Sequence, residues 1–204
     1  MAKKTETATS VTTRTAFEDP IATGVFAFEG DWDTDLREPW SIKTMLHALR
    51  DIGEINCIRR NVATVPELKH YIDKWLQKRY AAYQVGYFGF HGGPGSLSLG
   101  GKRYVSLEDL EALIDGRAEG RIIHFGSCSV MRVAETRLQE FRQNTRARAV
   151  IGYRRDVDSD LNWAAFEIQL LEALSRYRQT GAPARHLRDN HAYLCDKLGF
   201  EYIC

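Results

Sequence analysis

Val85-Gly86-Tyr87-Phe88-Gly89-Phe90-His91-Gly92-Gly93 and Ile122-Ile123-His124-Phe125-Gly126-Ser127-Cys128-Ser129 are two short apolar runs that close on glycine and a reactive side chain. Apolar and aromatic residues clustered in short windows bounded by glycine read as buried strands. An open parallel α/β sheet keeps its active groups in the crevice at the carboxyl ends of its strands. If these two strands are neighbours, an imidazole and a thiol project from adjacent strand ends. A cysteine nucleophile with a histidine base requires that geometry.

Outward from this pair, strands and helices alternate. Thr23–Glu29 reads as a first strand and Glu54–Val62 as a second. Between them, Ile42, Met45, Leu46 and Leu49 recur at helical spacing over Trp40–Ile52, with Gly53 as the stop. Pro66 opens a helix to Tyr83 whose Leu68, Ile72, Trp75, Leu76 and Tyr80 form one apolar stripe. Ser96–Val105 reads as a hairpin closed at Gly100-Gly101. Ser106 and Asp109 form a capping box for a helix to Ile114. Three more helices are expected over Arg132–Asn144, Ser159–Tyr177 and Ala184–Leu198, with a fifth strand at Ala147–Tyr153 and an edge strand at Phe200–Cys204. The alternation predicts an α/β fold with a mostly parallel sheet covered on both faces. Met1 to Pro20, rich in Thr, Ser, Lys and Glu, reads as a disordered arm, which leaves residues 21–204 as one domain.

Composition narrows the partners. The net charge of the 204-residue chain is only +1, which argues against nucleic acid. No apolar run is long enough to span a bilayer, and no charged-then-apolar leader opens the chain, so a cytoplasmic location is expected. The four cysteines, Cys57, Cys128, Cys195 and Cys204, form no CxxC pair, a pattern that suits reduced thiols.

Taken singly, Cys128 reads as a small core cysteine and His91 as a satisfied structural histidine. Two such residues at consecutive strand ends change that balance. Gly92-Gly93-Pro94-Gly95 gives a side-chain-poor loop that a substrate backbone can approach closely. The backbone N–H groups of Gly92 and Cys128 are candidate oxyanion donors. His124, four residues before Cys128, lies too far down its strand to be the base and is expected in the core. A zinc site from His91, His124 and Cys128 lacks a fourth ligand and close-spaced pairs. No G-x-S-x-G elbow, G-x-G-x-x-G or P-loop is present.

The strand ending in Phe90-His91-Gly92, followed by a second ending in Gly126-Ser127-Cys128, resembles the caspase-like cysteine peptidases of clan CD. That group includes caspases, metacaspases, separase, gingipains and bacterial CHAT domains. The intervening SLSLGGKRYVSLEDLEALI is similar to the hairpin-plus-helix of CHAT domains, and the resemblance covers roughly residues 22 to 175. The chain departs from the pattern at Gly126, where caspases and metacaspases often carry Asp, and at Ser129-Val130, where a small residue and Gly are common. The stretch from Gly152 to Asp156 lacks the aromatic-Pro pattern usual in CHAT domains.

The resemblance implies a three-layer α/β/α fold with a six-stranded sheet in the order 2-1-3-4-5-6, the last strand antiparallel. It implies a cysteine endopeptidase in which Cys128 attacks the scissile carbonyl and His91 protonates the leaving amine, with no metal or organic cofactor. A polypeptide is the implied substrate, and a sensor or activating protein a further partner. Family members draw the pocket for the residue before the cut from the loop Glu29–Asp35 and the segment after the fifth strand. Asp31 and Asp158 would there favour Arg or Lys, whereas Arg154 and Arg155 would instead select an acidic residue. Two other readings stay open: a non-catalytic interaction module that keeps the sheet, and a cysteine amidase acting on a small amide.

Overall fold

Phe26 and Phe28 face one way from the first strand and Val25 and Ala27 the other, and all four are buried. A strand with both faces covered reads as a continuous apolar run, which is why VFAF and VGYFG carry no polar alternation. The computed structural model describes residues 23–204 apart from 34, 36, 38–39, 101–102 and 158–159. The arm expected over Met1–Pro20 lies outside the described residues.

The main sheet is built from β1 (Val25–Glu29), β2 (Cys57–Asn61), β3 (Val85–Gly89), β7 (Ile122–Phe125), β8 (Ala149–Tyr153) and β9 (Phe200–Ile203). Its order is β2-β1-β3-β7-β8-β9, with β9 antiparallel to β8 and the remaining pairs parallel. Counting only these six strands, that is the expected 2-1-3-4-5-6. On one face, Leu68, Ile72 and Trp75 of α2 (Val65–Trp75), Leu107, Leu110 and Ile114 of α3 (Leu107–Ile114), and Leu138 and Phe141 of α4 (Glu135–Thr145) form one core. On the other, α1 (Lys43–Asp51) and α5 (Leu161–Arg176) pack against β3, β7 and β8 through Leu46, Leu49, Phe166 and Leu170. No described helix is long and apolar enough to cross a membrane.

Three local readings are corrected. The helix expected to run to Tyr83 stops at Trp75 and gives way to a 3-10 turn at Lys78–Tyr80. The buried Arg121 guanidinium makes the break tolerable, because it donates to the carbonyls of Trp75, Gln77, Tyr80, Ala81 and Tyr83 at 2.8 to 3.4 Å. The last helix is two, α6 (Ala182–Asn190) and α7 (Ala192–Leu198), separated at His191. Asn190 Nδ2 donates back to the His186 carbonyl at 2.8 Å, competition of the kind that short amide side chains offer a helix. Finally, the glycine-rich stretch after Phe90 is not all loop. His91–Gly93 forms β4, which joins β5 (Ser96–Ser98) and β6 (Tyr104–Ser106) in a separate three-stranded antiparallel sheet. The capping box of Ser106 and Asp109 stands as expected at the start of α3.

Candidate active site

The register of β3 and β7 pairs Phe88 with Phe125, so the two strands end level and side by side. Ser127 then does what the strand ladder no longer can. Its Oγ donates to the Phe88 carbonyl at 2.9 Å and accepts from the Phe90 N–H at 3.2 Å. The residue before Cys128 is thereby bonded to the residue before His91. One turn further, the Gly95 N–H donates to the Val130 carbonyl at 3.1 Å.

Gly92 is the point of closest approach. A Cβ built there would lie 2.1 Å from the Cys128 carbonyl oxygen and 3.0 Å from its nitrogen. Only a residue without a side chain lets the backbones of β4 and the Cys128 loop touch in this way. The residues expected to supply the oxyanion donors thus pack backbone against backbone. Gly92→Ala keeps its backbone N–H but forces β4 off the Cys128 loop, and is expected to cut peptide hydrolysis by about a hundredfold, the scale of a misplaced oxyanion donor. It should also lower stability by about 1–3 kcal/mol through overpacking. Peptide hydrolysis and urea unfolding of the purified variant measure both.

Cys128 is half-buried, and its Sγ lies 3.4 Å from both the N and the O of Val157, in the segment after β8. The carbonyl accepts from the thiol, and the N–H donates to the sulfur. The next residue, Ser129, has φ of +43, a left-handed conformation rarely seen outside Gly, Asn and Asp. Its N–H donates to the Arg155 carbonyl at 2.9 Å, and its Oγ to Asp156 Oδ1 at 2.7 Å. Those two bonds hold the strained turn that presents Cys128. Asp156 is thus committed to the backbone architecture of the site. Gly126 also has a packing reason, since a Cβ there would fall 2.1 Å from the Tyr87 hydroxyl. The tyrosine fills the room that an Asp side chain would need.

His91 is exposed, and its Nε2 lies 2.7 Å from the Trp32 carbonyl oxygen. A carbonyl only accepts, so Nε2 carries the proton and Nδ1 is the nitrogen left to exchange one. The Trp32 ring stands edge-on to the imidazole at 5.4 Å between centroids. Trp32 is fixed in turn by Glu29, a carboxylate buried at the end of β1. Glu29 accepts from Trp32 Nε1 at 2.8 Å, from the Ile42 N–H at 2.8 Å, from Ser41 Oγ at 3.0 Å and from Arg59 Nε. The sequence reading ends the first strand at Glu29, as the structure does, but also opens the acidic loop on it; its carboxylate is saturated and internal. A clue stood in its position, since an acid that directly continues an apolar strand is buried unless the strand frays.

Asp31 is exposed and borders a cleft of about 890 Å³ with Trp32, His91, Gly92, Arg103 and Tyr104. It therefore opens on the His91 side of the site. Asp158 lies outside the described residues. His124 is buried, with Nε2 2.8 and 3.0 Å from the two oxygens of Glu167, which also accepts from Tyr153 Oη at 2.5 Å. Burial, then the Glu167 charge, pushes the phenols of Tyr87 and Tyr153 well above their ordinary range. Both stay protonated, and His124 has the internal role expected of it. Among the described residues, no group of three or more His, Cys, Asp or Glu side chains gathers as metal ligands.

A model of a family described as of unknown function, DUF6642, matches residues 22–203. No curated protein matches the chain. Among solved structures, the chain is similar to a secreted C11 cysteine protease from Bacteroides thetaiotaomicron, in complex with an irreversible peptide inhibitor. Identity is 13% and the TM-score 0.57, over 86% of this chain and 59% of the protease. The chain thus spans less than two thirds of that protease's length. The likeness is one of fold, the three-layer α/β/α architecture with its mostly parallel six-stranded sheet and antiparallel last strand.

Proposed function

We propose that this chain, which belongs to the DUF6642 family, is a cysteine endopeptidase acting through Cys128 and His91. The observation that carries the reading is the contact of the Gly92 and Cys128 backbones at the ends of neighbouring parallel strands. That contact supports a reading in which the Cys128 thiol, the His91 imidazole and the two backbone N–H groups act together at this edge. The fold shared with a cysteine protease supports the same reading.

The chemistry follows from the orientation of His91. His91 Nδ1 takes the proton of the Cys128 thiol, the thiolate attacks the scissile carbonyl carbon, and a C–S bond forms as the carbonyl electrons move to oxygen, where the N–H groups of Gly92 and Cys128 receive them. Collapse of that oxyanion breaks the C–N bond, and His91 Nδ1 gives its proton to the leaving amine. Nε2 stays bonded to Trp32 throughout. Water, deprotonated by Nδ1, then hydrolyses the thioester and releases the thiolate. The oxyanion contacts are worth about 2–4 kcal/mol of barrier in comparable hydrolases.

The open cleft beside His91 suits an extended polypeptide better than a small amide, which needs an enclosed pocket. A basic residue before the cut, read by Asp31 and Asp158, is the finer proposal, together with a cytoplasmic setting and an activating protein partner. Incubation with peptidyl acyloxymethyl ketones bearing Arg, Lys, Asp or Leu before the warhead tests it. The expected result is covalent labelling of Cys128, fastest for Arg and Lys and lost in Cys128→Ala. Labelling that ignores His91→Ala would refute the dyad, and a preference for Asp or Leu would refute the basic pocket alone.

A further inference from the structure

Away from the His91–Cys128 edge, α1 and the edge strand β2 enclose a pocket of about 160 Å³, lined by Lys43, Leu46, His47, Arg50, Cys57 and Arg59. Four of these six are bases, and no carboxylate lines the pocket. Lys43, His47 and Arg50 stand at i, i+4 and i+7, on one face of α1, and like charges at that spacing weaken a helix. Arg59 reaches the same space from β2. Cys57 does not offset them, because burial pushes its thiol up to about 11 and keeps it neutral. Arg50 pairs with Asp51 at 2.8 Å, but both side chains are more than half exposed and water weakens the bond. Arg59 Nε is held by the buried Glu29, which leaves the terminal nitrogens of its fork for a second anion.

Clustered guanidinium and ammonium groups around a small cavity that no carboxylate lines match the donor set that binds phosphate. The volume suits a phosphate or diphosphate group. Arg59 also belongs to a connected chain, in which Glu29 fixes the Trp32 indole and the Trp32 carbonyl holds His91. We propose that this pocket binds a small phosphate-bearing anion, and that Arg59 transmits its occupancy to the loop that orients His91. The proposal stands whether or not the chain cleaves peptides.

The test is a titration of the full chain with inorganic pyrophosphate at ionic strength matched with sodium chloride. Calorimetry and the indole N–H resonance of Trp32 are followed together. Saturable binding is expected, weakened about tenfold or more in Lys43→Ala/Arg50→Ala, since each lost charged hydrogen bond is worth about that much. Arg60→Ala, on the same strand but outside the pocket lining, should bind as wild type. The Trp32 resonance should move along the same curve. Absence of saturation, or equal affinity in Lys43→Ala/Arg50→Ala, overturns the site. Saturable binding with a stationary Trp32 signal overturns the connection to His91.

Discussion

Cys128→Ala and His91→Ala should each reduce peptide hydrolysis by at least about a thousandfold, with the double variant no slower than the worse of the two. Residues that act as one unit lose almost everything with the first member removed, so non-additivity is the signature sought. Neither change is expected to unfold the chain. Cys128 is half-buried and His91 is exposed, so removing either side chain opens no large cavity in the core. Ser127, Ser129 and Gly95 carry the bonds that fix the two loops. Matched circular dichroism and urea midpoints for the four proteins establish this, and stopped assays on a fluorogenic peptide give the rates. Additive losses, or substantial residual cleavage in purified Cys128→Ala, would remove the dyad.

The second large effect belongs to a residue that touches no substrate. Glu29→Ala deprives four donors of one buried acceptor and leaves the Arg59 guanidinium without its partner. Breaking a buried pair from one side costs about 3–5 kcal/mol. Glu29→Gln keeps one carbonyl oxygen for Trp32 Nε1 and the Ile42 N–H but turns an amide toward Arg59, so its cost should fall well below that of alanine. The positioning role has its own readout. In Glu29→Gln, kcat should fall while KM holds, and the long-range nitrogen spectrum of His91 should shift from the pure Nε2–H tautomer towards a mixture. Loss of stability with an unchanged His91 tautomer would make Glu29 purely structural.

Much of this was legible because the local signals agree with one another. VGYFG and IIHF are apolar on both faces, and each ends in the glycine or serine that lets the chain turn at a sheet edge. The order of elements and the level, side-by-side ends of β3 and β7 followed from that. What escaped depends on contacts distant in sequence. Arg121 satisfies carbonyls about forty residues earlier, so nothing near Leu76 announces that α2 ends there. Glu29 is read as a loop acid until Arg59, thirty residues on, is known to face it. His91–Gly93 looks like a loop because glycines hide strand propensity, and only pairing with Ser96–Ser98 reveals it. The strained turn at Ser129 is invisible for the same reason, being held by Arg155 and Asp156.

The division between the two sheets has a mechanical consequence. The main sheet ends at Gly89, the small sheet begins at His91, and the single residue Phe90 lies between them with its ring buried. Thiol and imidazole therefore stand at the margins of two different sheets, and a displacement of the small sheet reaches the Cys128 turn through the bonds of Ser127 to Phe88 and Phe90 and of Gly95 to Val130.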